Sequence, residues 1–186
     1  MTQRFRHAEK TSRTARCHPA GGYVVAMART LGKALLIALS AIVVSGCTTT
    51  TDVSNDPQYT GGYEPGVTYS LMSNATVYRL NSDPEPCRLA PPDTAYYNKP
   101  ENALAVAALL SGRRVRVDRI LHTTVTAAFN GESYTEVFVT PLDQSCGCSP
   151  LLLDNALSHW KRVNTPDGWP TMIASPDPAH LAPWPK

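Results

Sequence analysis

The sequence predicts a mostly β chain, with an α+β arrangement left open: a small antiparallel meander or partly open barrel with one or two short helices. Three observations predict it. In Arg113–Ile120, Val115, Val117 and Arg119 alternate with Arg114, Arg116 and Asp118, the period-2 pattern of a strand with one wet face. Thr123–Phe129 then leads into Asn130-Gly131, a pair that readily takes the positive φ angles of a tight hairpin turn, and Val137 and Val139 alternate in Tyr134–Thr140 beyond it. Upstream, Val67, Tyr69 and Leu71 alternate with Thr68 and Ser70, and Ser73-Asn74 supplies turn chemistry before a β-rich Thr76–Leu80.

Between these pairs the signals are mixed. Asp83–Pro92 contains four prolines and reads as loop. Ala103–Leu110 (ALAVAALL) favours helix by its Ala and Leu, with Pro100-Glu101 as its start and Ser111-Gly112 as its stop. Ser149-Pro150 followed by LLLDNALSHWKRV reads as a capped helix. Its Leu152, Leu153, Ala156, Leu157 and Trp160 form one stripe, and Lys161 and Arg162 stand near its end. Residues 66–163 are thus expected to form a small β-rich domain with a C-terminal helix, and 164–186, which is rich in proline, an extended mobile tail. Residues 47–65 are polar, with Gly, Pro and Asn and almost no aliphatic residues. They bury too little apolar area to offset the entropy of ordering and read as a flexible tether.

Charge is unevenly spread. Seven of the 17 basic residues and one of the 15 acidic residues precede Cys47, which leaves a formal charge of −4 from Cys47 onward. A mildly acidic domain whose longest basic run is Arg113-Arg114 is a poor binder of phosphate backbones, so nucleic acid is excluded as a partner.

The first residues carry an address. Ala34–Gly46 is an apolar run of 13 residues behind Arg29 and Lys33. Spanning a bilayer takes about 20 such residues, so this run fits the core of a secretory signal instead. It ends in Val44-Ser45-Gly46-Cys47, which resembles the bacterial lipoprotein signal: an aliphatic residue, two small residues and cysteine. The resemblance covers Met27 to Cys47. It implies a signal peptide over 27–46, a diacylglycerol on the Cys47 sulfur, cleavage before Cys47 and acylation of the new amine. Firm anchoring takes more than one acyl chain. Thr48, rather than an acid, after the cysteine implies the outer membrane, facing the periplasm. Met27-Ala28-Arg29-Thr30 would make an ordinary start for such a signal, so 1–26 reads as a misassigned extension. The stretch L-x-x-G-R-x-V-x-V, its hairpin and the Tyr-containing strand (Leu109–Val139) are similar to bacterial Src-homology-three-like domains.

The residues that could carry chemistry are few. In an oxidising compartment Cys87, Cys146 and Cys148 are disulfide candidates, with Cys87 bridging to Cys146 or Cys148 and one thiol left over. The alternative reading makes Cys146 and Cys148 a redox pair or half of a metal site completed by His122. Arg114 and Arg116 lie on one strand face and could grip a carboxylate or phosphate of a wall polymer or lipid. Glu132 and Glu136 share a side of their strand and read as a solvated polar face. No nucleophile elbow, phosphate-cradling loop or His-Glu-x-x-His pair is present, so no catalytic residue and no cofactor is assigned. The expectation is a non-enzymatic envelope lipoprotein, held to the membrane by its lipid, that binds an envelope protein or a peptidoglycan component.

Overall fold

A computed structural model of the chain describes residues 13–18, 46–126, 131–166 and 168–185. The strands run in chain order as β1 (Arg13–His18), β2 (Gly46–Asp52), β3 (Thr68–Leu71), β4 (Ala75–Leu80), β5 (Arg88–Ala90), β6 (Ala103–Leu109), β7 (Arg114–Thr126), β8 (Gly131–Pro141), β9 (Leu151–Leu153), β10 (Ser158–Asn164), β11 (Pro170–Pro176) and β12 (Leu181–Pro183). The chain is mostly β, and its strands form one open sheet that does not close into a barrel. The path through the sheet is β1-β2-β7-β8-β9-β5-β4-β6, with β3 attached to β7, β12 to β3, and the β10–β11 hairpin to β8 through β11.

The expected meander at Arg113–Thr140 is the long β7–β8 hairpin, paired from Val115↔Pro141 to Thr126↔Gly131. Strict alternation would turn Arg119 inward. A bulge between Val117 and Arg119 shifts the register instead, so Ile120 and His122 follow Val115 and Val117 into the interior while Arg119 stays exposed. An extra residue in one strand has this effect because the side-chain period is two. The Arg119 guanidinium then lies over the Phe138 ring, 4.7 Å from its centroid, covering the outer face.

Each half of this hairpin takes a different neighbour. On β7, β3 pairs with Arg114–Arg116 and β2 with Leu121–Thr126. On β8, β9 pairs with Phe138 and Val139, and β11 runs parallel beside Ser133 and Tyr134. The main core lies on the inner face, built from Leu71, Val77, Leu89, Leu109, Val115, Val117, Ile120, Val139, Leu151 and Leu157 with Tyr59 and Tyr63. A second irregularity, in the β4–β6 ladder at Val77/Tyr78, turns Tyr78 and Leu80 to the other face. There they form a small second cluster with Ala90 and Ala103, against which Tyr97 packs.

Four expectations are corrected. The 47–65 stretch is not a free tether: Cys47–Asp52 pairs residue by residue with β7, and Tyr59 and Tyr63 are buried. Its threonines are β-branched and suit a pleated strand, and its tyrosines supply the apolar area that aliphatic residues do not. Ala103–Leu110 is not helical but provides edge strand β6, because pairing with β4 overrides local helix preference. The C-terminal helix is absent. Leu151–Leu153 is a strand flanked by β5 and β8, buried throughout, and a central strand reads as a continuous apolar run. Asp154 caps only a 3₁₀ turn, Asn155–Leu157, by accepting from the Ala156 amide at 2.9 Å. The Pro-rich 164–186 segment is ordered as β11 and β12, with Ile173, Ala174 and Leu181 buried. Its prolines bound the strands, where no ladder hydrogen bond is lost. Residues 1–12 and 19–45, which include all of the expected signal except Gly46, lie outside the described residues, while Arg13–His18, in the segment read as an extension, pairs with β2.

Gly61 shows how the 53–67 loop is held. Its φ is +59°, and a Cβ there would stand 2.0 Å from the Ala174 carbonyl oxygen of β11. Gly66, at φ +83°, would meet nothing within 4 Å. Gly66→Ala should therefore cost about 1 kcal/mol from backbone strain alone. Gly61→Ala adds a backbone collision and should cost about 3 kcal/mol or more, seen as the larger fall in Tm by calorimetry.

Candidate ligand cleft

The fork in which β9 and β11 leave β8 opens a cleft of about 550 Å³. Strand alternation sends Glu132, Tyr134 and Glu136 of β8 to one face, the outer side of the sheet. Arg88 enters from β5, Asp154 and Asn155 from the turn after β9, Trp160 from β10 and Met172 from β11. The cleft thus combines three carboxylates, one guanidinium, a phenol and an indole.

Two of the carboxylates are held in place. The Thr123 hydroxyl donates to Glu136 Oε2 at 2.7 Å, and the Tyr97 hydroxyl donates to Asp154 Oδ2 at 2.5 Å. Asp154 Oδ1 also accepts from the Ala156 amide. The Trp160 indole donates to the Asn155 carbonyl at 3.1 Å, which fixes the ring on the cleft wall. Arg88 Nε is buried without a hydrogen-bond partner. Side chains locked by their neighbours lose little further freedom on meeting a ligand. Burial raises the Tyr134 phenol above its ordinary pKa; Glu136 and Glu132 add to the rise and Arg88 opposes it. Tyr97 is raised by burial first and then by the Asp154 carboxylate it donates to.

On the inner face behind the cleft, the His122 ring and Ser133 hydroxyl are 2.5 Å apart, and Tyr59 packs on the ring at 4.6 Å. Thr171 donates to Ser133 at 3.0 Å and shares a hydrogen bond with Thr165 at 2.9 Å. These groups are all buried, and the buried hydroxyls satisfy one another, which ties β7, β8 and β11 together.

The residues singled out from sequence fall in separate places. Cys87 and Cys148 are joined by a disulfide with Cα atoms 6.0 Å apart, and Cys146 is a buried free thiol that donates to the Cys148 carbonyl at 2.8 Å. Among the described residues, the metal-ligand atoms found together are those of Glu85, Cys87 and Cys148, a group without His122 or Cys146 whose two sulfurs are consumed in the disulfide. Arg114 is engaged by Asp143 through Nε and Nη2 at 3.0 and 2.6 Å and lies under Trp184, while Arg116 reaches Asp118 at 3.4 Å. Its hydrogen bonds from Arg114 hold the Asp143 carboxyl below its ordinary pKa. Arg114 therefore clips a loop to the sheet. Glu132 and Glu136, read as a solvated face, line the cleft. Arg88, Tyr134, Asp154 and Trp160 were not foreseen, since they converge from four separate elements and leave no local spacing. Val44 and Ser45 lie outside the described residues; Gly46 opens β2, and Cys47, next in that strand, is disulfide-bonded. Comparison with known protein families, curated proteins and solved structures returned no match.

Tyr63, Tyr69, Tyr97 and Tyr134 all have raised pKa values, led by burial. A raised folded-state pKa means the native state keeps protons that the unfolded chain releases once pH passes about 10. The stabilisation is complete below that point and is lost as pH climbs through the folded values. Tm should be level from pH 7 to about 9 and fall steeply above about 10, and Tyr134→Phe should make the fall shallower.

Proposed function

We propose that the chain is the precursor of a lipid-anchored bacterial envelope protein whose β domain is a non-enzymatic binding module. The observation that carries the anchor is Val44-Ser45-Gly46-Cys47 behind a 13-residue apolar run and two basic residues. Among the described residues no helix is long and apolar enough to cross a membrane, so attachment on this reading comes from lipid on Cys47. The Cys47 sulfur cannot be a disulfide and a thioether at once. Lipidation therefore acts on a precursor in which that sulfur is reduced. An outer-membrane location facing the periplasm follows from Thr48 by the same resemblance.

The cleft supports a cell-wall component as the ligand. Peptidoglycan presents sugars beside peptides that carry both ammonium and carboxylate groups. Glu132, Glu136 and Asp154 suit the ammonium, Arg88 suits a carboxylate, and Trp160 offers an apolar wall to a sugar or side chain. Binding through these fixed charges is the chemistry this reading gives the cleft.

The anchor is tested by the intact mass of the chain extracted from bacterial membranes: residues 47–186 plus acyl groups is the expected result, and an unprocessed chain refutes the reading. The binding role is tested by co-sedimentation with insoluble peptidoglycan. Glu136→Gln removes one charged contact, of about 1.5 kcal/mol, and should weaken binding about tenfold, with Lys161→Gln as a neutral control. Equal sedimentation of all forms would exclude the cleft as the wall site.

A further inference from the structure

The first residue of the cleaved chain is part of the sheet, so the anchor fixes which end of the domain meets the membrane. Cys47 pairs with Thr126 of β7, and Thr126 pairs with Gly131 of β8. The start of β2, the end of β7 and the start of β8 therefore stand at one level. The β10–β11 hairpin turns at this same end, because β11 begins at Pro170 and runs parallel to β8 from Thr171↔Ser133. The Trp169 ring of that turn lies on Gly131, where a Cβ would stand only 2.4 Å from it, and the residue is 39% exposed. Three strand spacings separate β2 from β11, which puts Trp169 about 15 Å across the sheet from Cys47.

We propose that this end of the sheet is the membrane-facing surface of the anchored protein, with Trp169 seated among the lipid headgroups. The proposal rests on the lipid-anchor reading. An indole suits this position because its ring is apolar and its N–H polar, the combination that gathers tryptophan at membrane interfaces. Pro166, Gly168 and Pro170 beside it are exposed. Among the described residues Glu132 of β8 is an acid at this end, and the exposed Lys161 and Arg162 of β10 offset it. The far end carries a built-in reference. Trp184 lies over Arg114, 5.2 Å from the guanidinium carbon, and Arg114 stands roughly 40 Å up β7 from Thr126. The third tryptophan, Trp160, lies on the cleft wall.

The test uses two full-length genes, one encoding Trp160→Phe with Trp184→Phe and one Trp160→Phe with Trp169→Phe, expressed in a bacterial host and extracted from membranes. Intact mass is read first. The acylated proteins are then placed in phosphatidylcholine vesicles with and without bromine on the upper acyl chain. The expected result is about twofold quenching of Trp169, with a blue shift, and unchanged emission from Trp184. Equal quenching of both, or of neither, in acylated protein overturns the orientation and leaves the anchor standing. A mass without acyl groups removes the anchor and the orientation together. Should a substituted chain fail to fold, hydrogen exchange on the unsubstituted acylated protein gives the same decision. Vesicle protection over 165–170 and none over 180–185 supports the orientation, and any other pattern refutes it.

Discussion

The bulged β7–β8 ladder is the constraint on which the rest of the structure depends. Among the described residues, ten other strands join the sheet directly or indirectly through its two edges, and the burial of each depends on the face β7 and β8 present to it. Had β7 kept strict alternation, Arg119 would point into the core and Ile120 and His122 would point out. An unpaired charge inside costs several kcal/mol, far more than one irregular ladder step. The bulge resolves this conflict at Asp118, and the Thr140 hydroxyl donates to the Asp118 carboxylate from the facing strand. The same residue bonds Arg116, so the local disruption is surrounded by polar partners.

The cleft follows from the same ladder. β8 has one free edge to share, and β9 and β11 each take a part of it. Between Tyr134 and Phe138 neither strand pairs in register, and the Thr135 hydroxyl substitutes by accepting from the Ala174 amide at 2.9 Å. The two neighbours splay apart across this gap, and the outward side chains of β8 form its floor. Thr123 and Tyr97 each spend a hydroxyl on holding a carboxylate at the wall, so the fold itself fixes two of the cleft's three carboxylates.

How much of this was legible depended on whether the signal was local. The β7–β8 hairpin could be read because alternation is a property of neighbouring residues, and the pairing of Cys87 with Cys148 could be narrowed by cysteine arithmetic. Of the expected Asn130-Gly131 turn, Asn130 lies outside the described residues and Gly131 already belongs to β8, paired with Thr126. The strands misread as helices were those in which a tertiary partner decides the outcome. Ala103–Leu109 has good helix formers but an open edge of β4 to fill, and Leu151–Leu153 is apolar on every side because strands flank it on both edges and packing covers both faces. Composition misled at the ends. Threonine counts as polar in a hydropathy sum yet is β-branched, and proline counts as a breaker yet is harmless where a strand begins or stops. The cleft was not legible at all, because Arg88, Glu136, Asp154 and Trp160 meet only after the sheet forks.

Finding a strand where a tether was expected changes what an anchor at Cys47 would do. A flexible linker separates a domain from its membrane and leaves the domain free to turn. A lipid on a residue inside β2 does neither, because β2 cannot move without breaking its ladder with β7. Each hydrogen bond of that ladder then resists both unfolding and reorientation, so the energetics of anchoring and of folding are linked. The same logic orders the steps of maturation. A peptidase that cuts before Cys47 needs that bond in an extended, unpaired chain, and a strand already hydrogen-bonded to β7 on one edge and β1 on the other does not offer one. On the lipoprotein reading, acylation and cleavage precede the closing of β2 onto the sheet, and the pairing that follows locks the domain in the orientation its anchor has set.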